Sequence, residues 1–507
     1  MESLPSIAGE LAGKHVFVTG GSGFMGKVLV EKLLRSCPEV ECIYLLLRPK
    51  RGVSAQDRVE QIVKTPLFGP LLSERPSATA KLRAVAGDCS QLRLGLSADD
   101  EALLVDNVSY VFHAAATVRF DDPLQSAILL NTRGTREVVE LCKRMPRLQV
   151  LQYVSTTYCF TKEPVLKERA YRAHLDWRTM IRIAETEDKG VLDAVTHKVL
   201  DYQPNTYTLT KALAENVIND ARNDIPVMIY RPAVVISSLQ EPIPGWLDNM
   251  NGPFGIWIGA CKGVLRFSWG DPKVALSYTP VDWAIRAMII LAVAKATRAP
   301  ALETNAEEVD VVHLEGSGYD RSTYGLQRDT LPSVLKYAPN AIRYPRYHIG
   351  RCYVYYWLGT MLSQVSYGLA IDCILRLSGQ KPRLTGMYRK IFYTNQALAY
   401  FMMNEFPIET QKANKVHNAL RHQDKSSFGL DITDPSSGLH YDRETCMRET
   451  IQGAFQYVLK ETGTTEKNLK RLQRLYVLEV VMNILWCFVM YFTVGRFLIR
   501  KIYYLLM

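Results

Sequence analysis

Short apolar segments rich in β-branched residues alternate with longer amphipathic segments between residues 15 and 229. This alternation is typical of βαβ units and a parallel sheet. The predicted strands are His15 to Thr19, Cys42 to Leu47, Leu82 to Ala86, Tyr110 to His113, Leu148 to Val154 and Val227 to Tyr230. The predicted helices include Phe24 to Leu34, Ala55 to Val63, Gln125 to Lys143 and Thr208 to Ala221. This rhythm predicts an α/β fold with a doubly wound parallel sheet of the Rossmann type.

The pattern changes after Arg231, where prolines and glycines crowd residues 232–259. Such a stretch cannot be one regular element, so we interpret it as substrate-pocket material laid over the sheet. Together with the sheet it defines a first domain over residues 12–345.

A third pattern begins near residue 346. The segment from Tyr353 to Leu377 is apolar and aromatic but is interrupted by Gln364, Asp372 and Arg376. We interpret residues 346–465 as a mainly helical C-terminal domain, in which this segment is either a core helix or a helix in contact with a membrane. Between residues 376 and 425 basic residues outnumber acidic ones, so much of the positive charge of the chain lies there.

An apolar segment occupies residues 475–507. Its uncharged run from Val480 to Gly495 is shorter than the roughly 20 residues that span a bilayer, and extension back to Leu475 includes Glu479. Basic residues flank the run on both sides, so its orientation cannot be read. Because Trp486 and several tyrosines suit a membrane interface, we predict a membrane anchor here rather than a buried core helix.

Composition narrows the class of protein. With 48% hydrophobic and 22% charged residues, the chain is not disordered throughout. The formal charge of +10 fits an anionic membrane or small molecule as well as nucleic acid, but no nucleic-acid-binding motif is present. The ten cysteines are scattered, which argues against a disulfide scaffold or a metal site. The N-terminal residues do not resemble a secretory signal, so we expect a cytosol-facing, reducing environment.

The segment HVFVTGGSGFMG joins the first predicted strand to the first predicted helix. Glycines at this spacing permit a tight turn, close approach of the backbone to a pyrophosphate, and close packing of the helix on the strand. The strand and helix on either side distinguish this site from an ordinary glycine-rich turn. The residues expected to line the dinucleotide site are Thr19, Gly20, Gly23, Phe24, Met25 and Gly26.

The second predicted strand ends in cationic residues. An NAD-specific site places a carboxylate about 20 residues after the glycines to bind the ribose hydroxyls. This chain has Arg48, Lys50 and Arg51 in that region instead. Such groups suit a 2′-phosphate, so we predict NADPH as the cofactor; the alternative is that Arg48 is a solvated surface residue.

A Tyr and a Lys four residues apart, Tyr207 and Lys211, fall in a predicted helix. At this spacing they share one helix face, and an ammonium at Lys211 would lower the pKa of the Tyr207 phenol. The phenol could then exchange a proton with a substrate carbonyl oxygen, which the Thr156 hydroxyl at the end of the fifth strand would orient. The pair alone is a weak signal, and the glycine segment and Thr156 make it specific.

The segments TGGSGFMG, YVSTTY and YTLTKALAE resemble the extended short-chain dehydrogenase/reductases. LLLRPKRG, RPAVV and PGWLDNMNGP narrow the resemblance to the alcohol-forming fatty acyl-CoA reductases, the male-sterility-type family. The resemblance covers residues 12 to about 460.

The resemblance implies roles for further residues. Asp88 matches a carboxylate near the adenine, Ala114 and Ala115 match small residues beside the cofactor, and Asn131 matches a structural asparagine. Tyr207 and Lys211 match the catalytic pair. Thr156 matches the hydroxyl position best, with Ser155 as the alternative, while His113 is expected to be a packed strand residue rather than an acid or base.

Two positions depart from the family pattern. Arg286 stands where an asparagine is usual, and Phe406 where a tryptophan is common. A second expected tryptophan is missing from residues 431–441. These departures bear on chain-length preference and C-terminal packing more than on the reaction.

The resemblance implies NADPH-dependent reduction of a long-chain acyl-CoA to a primary alcohol through an aldehyde. Three alternatives stay open: a reductase that stops at the aldehyde, a membrane-anchored steroid or lipid dehydrogenase, and a non-catalytic lipid- or partner-binding protein on the same scaffold. The expected location is a membrane of the endoplasmic reticulum, peroxisome or lipid droplet, with the catalytic domain facing the cytosol. No metal and no nucleic acid are expected, and a homodimer stays open.

Overall fold

Seven parallel strands form the central sheet of the structure, a computed structural model that describes residues 3–49, 52–302, 308–316, 322–430, 443–492 and 496. The strands are β1 (His15–Thr19), β2 (Cys42–Leu47), β3 (Leu82–Ala86), β4 (Val108–His113), β5 (Val150–Val154), β6 (Val227–Pro232) and β7 (Asp310–Leu314). Their order across the sheet is β7-β6-β5-β4-β1-β2-β3. This arrangement confirms the predicted doubly wound α/β fold.

The predicted and observed strands agree closely. β1, β2 and β3 have the predicted bounds, while β4, β5 and β6 each differ at one end. The hydrophobic pattern missed β7, which returns to the sheet after a long connection and pairs in parallel with β6. Two further short pairs join Val234–Ile236 to Tyr278–Pro280 and Phe267–Trp269 to His348–Gly350.

Helices pack around the sheet in the first of two units, which comprises Met1–Leu247, Ala275–Ser322 and Asn404–Asp442. Its α-helices are Ile7–Glu10, Phe24–Ser36, Ala55–Val63, Gly69–Glu74, Ala98–Asn107, Leu124–Ala127, Gly134–Cys142, Trp177–Thr186, Lys189–Leu200, Thr206–Asp220, Val281–Ala296, Gln411–Asn418 and His422–Phe428. The helix Val281–Ala296 is buried from Val281 to Ala294. Because this helix is apolar on nearly every side, it lies in the interior of the unit.

The order of the strands reverses between β1 and β4, the neighbours from which the chain winds outward in opposite directions. In such sheets the carboxyl ends of the strands at the reversal border a crevice that binds ligands. The predicted glycine segment follows β1, and Ala114 and Ala115 follow β4, so both lie at this crevice.

The second unit comprises Asp248–Val274, Thr323–Met403 and Arg443–Met507. Its α-helices are Pro253–Cys261, Tyr324–Val334, Tyr353–Thr360, Ser366–Leu377, Leu384–Met403, Arg443–Gly453 and Thr465–Met490. A π-helical turn, Met361–Val365, joins two of them into one continuous helix, Tyr353–Leu377. Each of the two units is assembled from three separate stretches of the chain.

The helix Tyr353–Leu377 is mostly exposed, since only 22% of its 18 most apolar consecutive residues are buried. It is therefore not a core helix. Among the described residues it is the one helix long and apolar enough to cross a membrane. The predicted anchor begins within the helix Thr465–Met490, and residues 493–495 and 497–507 of that anchor lie outside the described residues.

Candidate active site

The glycine segment forms a tight turn between β1 and the helix Phe24–Ser36. Gly20 has a φ of +77°, and a Cβ there would lie 2.7 Å from the backbone nitrogen of Ala115. At Gly26 a Cβ would lie 2.2 Å from the carbonyl oxygen of Gly20. Both positions therefore require glycine, one for its backbone conformation and one for the close approach of helix to turn. The N-terminus of the helix, with Phe24 and Met25 in its first turn, is left facing the crevice, where it attracts phosphate.

Thr19 and His113 fix the two strand ends that border the crevice. The amide of Ala115 donates to Thr19 Oγ1 at 3.3 Å, and the amide of Ala114 donates to the carbonyl of Thr19 at 3.2 Å. His113 Nδ1 lies 2.7 Å from Thr19 Oγ1, and its Nε2 lies 2.9 Å from Thr135 Oγ1. Burial lowers the pKa of His113 to about 3, so the ring is neutral and holds the strands together, as expected for a packed residue.

A cationic side chain, Arg48, directly follows the last residue of β2. The side chain of Arg48 is 64% exposed, with Nη1 3.5 Å from Asp88 Oδ2. Asp88 is oriented by Ser90, whose amide and hydroxyl donate to Asp88 Oδ1 at 2.9 and 2.8 Å. Lys50, also predicted to bind the cofactor, lies with Arg51 outside the described residues.

Sequence reasoning missed Arg58, which contributes a second guanidinium to this region. Its Nη1 donates to the carbonyl of Arg48 at 2.7 Å, and its Nη2 donates to Ser22 Oγ at 3.3 Å. Arg58 thus links the glycine turn to the end of β2. An arginine on the helix after the second strand is the signal that could have indicated it. The glycine cradle fits the pyrophosphate of a nicotinamide dinucleotide, and the guanidinium groups lie beside it.

The predicted catalytic pair lies on the helix Thr206–Asp220, which Asn205 caps by accepting from the amide of Thr208. Lys211 is 3% exposed, and its Nζ donates to the carbonyl of Val154 at the end of β5 at 2.7 Å. Burial lowers the pKa of Lys211 to about 8. The lysine is therefore mainly an ammonium at neutral pH and loses its proton in mild alkali.

Tyr207 is half-buried and stacks on Phe120, with ring centroids 6.0 Å apart. Burial raises the pKa of the phenol above its usual value, and a hydrogen bond with Thr156 offsets part of that rise. The expectation that Lys211 lowers this pKa is therefore wrong, because burial raises the pKa and Thr156, not Lys211, is the group that opposes the rise. A protonated phenol is the form that donates a proton, as a reduction requires.

The two candidate hydroxyls after β5 have different surroundings. Thr156 Oγ1 accepts from the amide of Tyr158 at 3.3 Å and is hydrogen-bonded to Tyr207. The Ser155 hydroxyl lies 3.7 Å from Cys159 Sγ. Thr156 therefore faces the phenol, whereas Ser155 packs against the turn that follows the strand.

Asn131 joins the crevice to the catalytic helix. It lies in the π-helical stretch Ile128–Arg133, where its Oδ1 accepts from the amide of Thr117 at 2.9 Å and its Nδ2 donates to Thr210 Oγ1 at 2.9 Å. The side chain is buried, which fits the structural role implied by the resemblance.

A buried ion pair below the catalytic helix was not predicted. Glu215, one further turn along from Lys211, accepts from Arg231 Nε at 2.8 Å and from its Nη2 at 2.5 Å. Cys159 Sγ donates to Glu215 Oε1 at 3.1 Å. The negative charge of Glu215 also raises the pKa of Lys211, against the larger effect of burial. The spacing of four residues between Lys211 and Glu215 is the signal that could have indicated it.

The two departures from the family pattern have defined contacts. Arg286 Nε donates to Glu241 Oε1 at 2.7 Å, and its Nη1 donates to the carbonyl of Gly429 at 2.9 Å. Phe406 contacts Tyr158 edge to face, with ring centroids 5.7 Å apart. Arg286 thus stabilises the packing of three separate stretches of the first unit, and Phe406 lies against the turn after β5. The missing tryptophan concerns residues 431–441, which lie outside the described residues.

The glycine turn, the crevice and the Tyr207–Lys211 pair define an NAD(P)-binding oxidoreductase of the extended short-chain dehydrogenase/reductase type. Solved reductase domains share this fold. The terminal R domain of the myxalamid biosynthetic pathway matches with a TM-score of 0.59 and 18% identity, covering 88% of this chain and 91% of that one. The R domain of a Mycobacterium tuberculosis nonribosomal peptide synthetase matches with a TM-score of 0.57 and 18% identity, covering 89% and 94%.

Sequence comparison identifies the family. Residues 18–288 and 363–461 match two models that are both described as male sterility protein. Fatty acyl-CoA reductase wat of Drosophila melanogaster is 34% identical over 92% of this chain and 88% of its own length. Fatty acyl-CoA reductase 1 of Rattus norvegicus is 34% identical over 89% and 85%, and that of Homo sapiens 33% identical over 89% and 85%. The chain therefore belongs to the male sterility family together with these fatty acyl-CoA reductases, which confirms the resemblance.

Proposed function

We propose that this chain reduces long-chain fatty acyl-CoA to the primary fatty alcohol with NADPH and releases CoA. The observation that carries the proposal is the placement of Tyr207 and Lys211 on one helix, with Lys211 Nζ donating to the carbonyl of Val154 at 2.7 Å at the end of β5. The names of the family members supply the substrate class, and the site supplies an acid for a reacting carbonyl oxygen.

Thr156 and Tyr207 act in the same way on the acyl thioester and on the aldehyde that forms from it. When bound, NADPH supplies a hydride to the carbonyl carbon in each step, so one thioester consumes two NADPH and two protons. Thr156 donates a hydrogen bond to the carbonyl oxygen, and Tyr207 donates its proton there as negative charge develops. In the resulting hemithioacetal, the bond from carbon to sulfur breaks, the hydroxyl proton leaves, and CoA departs as the thiol.

The aldehyde that remains presents its carbonyl oxygen to the same two groups. Tyr207 donates a second proton, and the product is the alcohol. The Lys211 ammonium stabilises the phenolate that remains after each proton transfer, and a proton from solvent restores the phenol before the next step.

The preference for NADPH rests on Arg48 and Arg58. Their guanidinium groups lie at the end of β2, where an NAD site has a carboxylate, and Arg48 is largely exposed to ligand. We further propose that Thr19, Gly20, Gly23, Phe24, Met25, Gly26, Lys50, Asp88, Ala114 and Ala115 complete the NADPH site.

Membranes containing the protein, incubated with NADPH and acyl-CoAs of graded length, test the proposal. We expect fatty alcohol from the wild type and about 100-fold less or lower still from Tyr207→Phe, with Tyr202→Phe active as the matched control. Absence of alcohol from the wild type, or equal yields from wild type and Tyr207→Phe, would contradict it. An aldehyde that accumulates without alcohol would favour the aldehyde-forming alternative.

We also propose that the chain acts at a membrane of the endoplasmic reticulum, peroxisome or lipid droplet, with its catalytic unit in the cytosol. The exposed apolar helix Tyr353–Leu377 supports membrane association, and the apolar segment 475–507 is the proposed anchor. An acyl-CoA with a long chain partitions to such surfaces, so the enzyme would meet its substrate there.

A further inference from the structure

We propose that the helix Tyr353–Leu377 lies on an anionic membrane surface and does not cross the bilayer. The inference deepens the proposed membrane association and adds a second point of attachment to the anchor. It rests on the distribution of apolar, polar and charged side chains within the second unit.

The outer face of this helix is apolar. We define the outer face by Val354, Leu358, Leu362, Leu369, Cys373 and Leu377, which recur at helical spacing and are all exposed. Val354 is 61% exposed and Leu377 is 90% exposed. A contiguous apolar stripe on a folded unit marks a surface that is covered by lipid or by protein.

The inner face of the same helix carries its buried polar residues. Gln364 is 1% exposed, and its Oε1 accepts from the amides of Arg266 at 2.5 Å and Phe267 at 3.1 Å. Asp372 is 5% exposed and accepts from the amides of Arg383, Leu384 and Thr385, at the start of the next helix.

These hydrogen bonds indicate whether the helix lies on the membrane or spans it. The inner polar residues satisfy backbone groups of the same unit, so a helix that left the unit to cross a bilayer would leave those groups unpaired in hydrocarbon. A helix that stays bound to its unit can still bury its outer face in one leaflet, as interfacial helices do.

The helix Thr465–Met490 extends the apolar surface in a similar way. Glu479 is 3% exposed and accepts from Arg343 Nε at 2.7 Å, from Arg343 Nη2 at 3.0 Å and from Arg266 Nη2 at 2.9 Å. The same Arg343 donates to the carbonyl of Ser363 in the helix Tyr353–Leu377. Both helices are thus bound to one buried arginine, while Val477, Leu478 and Val481 remain exposed.

Charge selects lipid as the occupant rather than a protein or a second copy. Residues 373–404 contain no Asp or Glu. Five cationic side chains in this stretch are exposed: Arg376, Lys381, Arg383, Arg389 and Lys390. Clustered cations beside an apolar face bind anionic head groups, and Tyr353, Tyr355 and Trp357 at the other end of the helix suit the interface.

Cys373 lies on the outer face between Leu369 and Leu377, so the reactivity of its thiol shows whether lipid covers this face. Purified full-length protein is mixed with sealed vesicles of phosphatidylcholine and phosphatidylserine, and Cys373 labelling by a water-soluble maleimide is followed by peptide mass spectrometry. We expect vesicles to slow the labelling several-fold, and vesicles of phosphatidylcholine alone to slow it less. Leu369→Glu should restore labelling, whereas Val191→Glu, an exposed apolar residue of the first unit, should not.

A second variant separates lying from spanning. Gln380→Cys places a thiol in the exposed turn after the helix, and we expect a maleimide added outside the vesicles to reach it. Labelling that requires detergent would mean that the helix crosses, which would overturn the inference. If the protein floats with the vesicles but Cys373 is labelled as fast as without them, the inference is also overturned. If concentrated protein is labelled slowly without vesicles, a second copy of the chain covers the outer face, and this too overturns the inference. Protein that does not float at all would refute the membrane association itself, and reductase activity is measured separately.

Discussion

Removal of the Arg48 guanidinium should change cofactor preference without unfolding the protein. The side chain is 64% exposed and its contact with Asp88 is 3.5 Å, so Arg48→Ala should cost less than about 1 kcal/mol of stability. A hydrogen bond to a charged phosphate contributes about 1.5–3 kcal/mol. At about 1.4 kcal/mol per factor of ten, kcat/KM for NADPH should fall about 10- to 150-fold.

The assay is initial-rate kinetics with NADPH and NADH at fixed acyl-CoA, together with thermal unfolding. NADH lacks the 2′-phosphate, so its kcat/KM should change little. Arg83→Ala is the matched control, because Arg83 is an exposed cation near the start of β3, away from the carboxyl ends of the strands. Equal losses with both cofactors, or no loss with NADPH, would refute the assignment of Arg48 to the phosphate.

Four further predictions concern the catalytic helix and the glycine turn. Tyr207→Phe should lower kcat by about 100-fold or more in single-turnover assays, because a positioned acid contributes about 10²–10⁴, with the melting temperature unchanged. In the wild type, kcat/KM should fall as pH rises through about 8, where the buried Lys211 loses its proton, and a flat profile to pH 10 would oppose this role. Glu215→Gln should move that fall to lower pH, because it removes a charge that raises the pKa of Lys211. It should also lower the unfolding temperature, because it leaves the buried Arg231 guanidinium without its carboxylate, at a cost of about 3–5 kcal/mol. Gly26→Ala should abolish NADPH binding in a fluorescence titration, since its Cβ would meet the carbonyl oxygen of Gly20 at 2.2 Å.

Much of the fold follows from local pattern. The apolar runs of β1, β2 and β3 are bounded by glycine or charged residues, and their limits could be read directly from the sequence. The strand β7 could not, because DVVHL is a short run whose place is set by pairing with β6, about 80 residues earlier in the chain.

The site was predictable only where chemistry depends on spacing along one element. Tyr207 and Lys211 share a helix face by their separation alone, and Gly20 and Gly26 follow from the turn. Arg58 is different, because its contact with Ser22 depends on how a helix packs beside the glycine turn. The raised pKa of Tyr207 likewise follows from burial, which no spacing reveals.

The orientation of the helix Tyr353–Leu377 could not be predicted from the sequence either. Its pattern left a core helix and a membrane-contacting helix both open. Only tertiary contacts reveal that Gln364 and Asp372 face inward to bond the backbone, so that the apolar side faces out. Average hydrophobicity is the same for either orientation.

The ratio of NADPH oxidised to CoA released distinguishes complete reduction of an acyl-CoA to an alcohol at one site from reduction that stops at the aldehyde. NADPH oxidation is followed by absorbance and CoA release by a thiol reagent, in the same reaction with a long-chain acyl-CoA as the limiting substrate. We expect two NADPH oxidised for each CoA released, with both signals slowed about 100-fold or more in Tyr207→Phe. A ratio of one, with aldehyde as the final product, would contradict complete reduction to the alcohol.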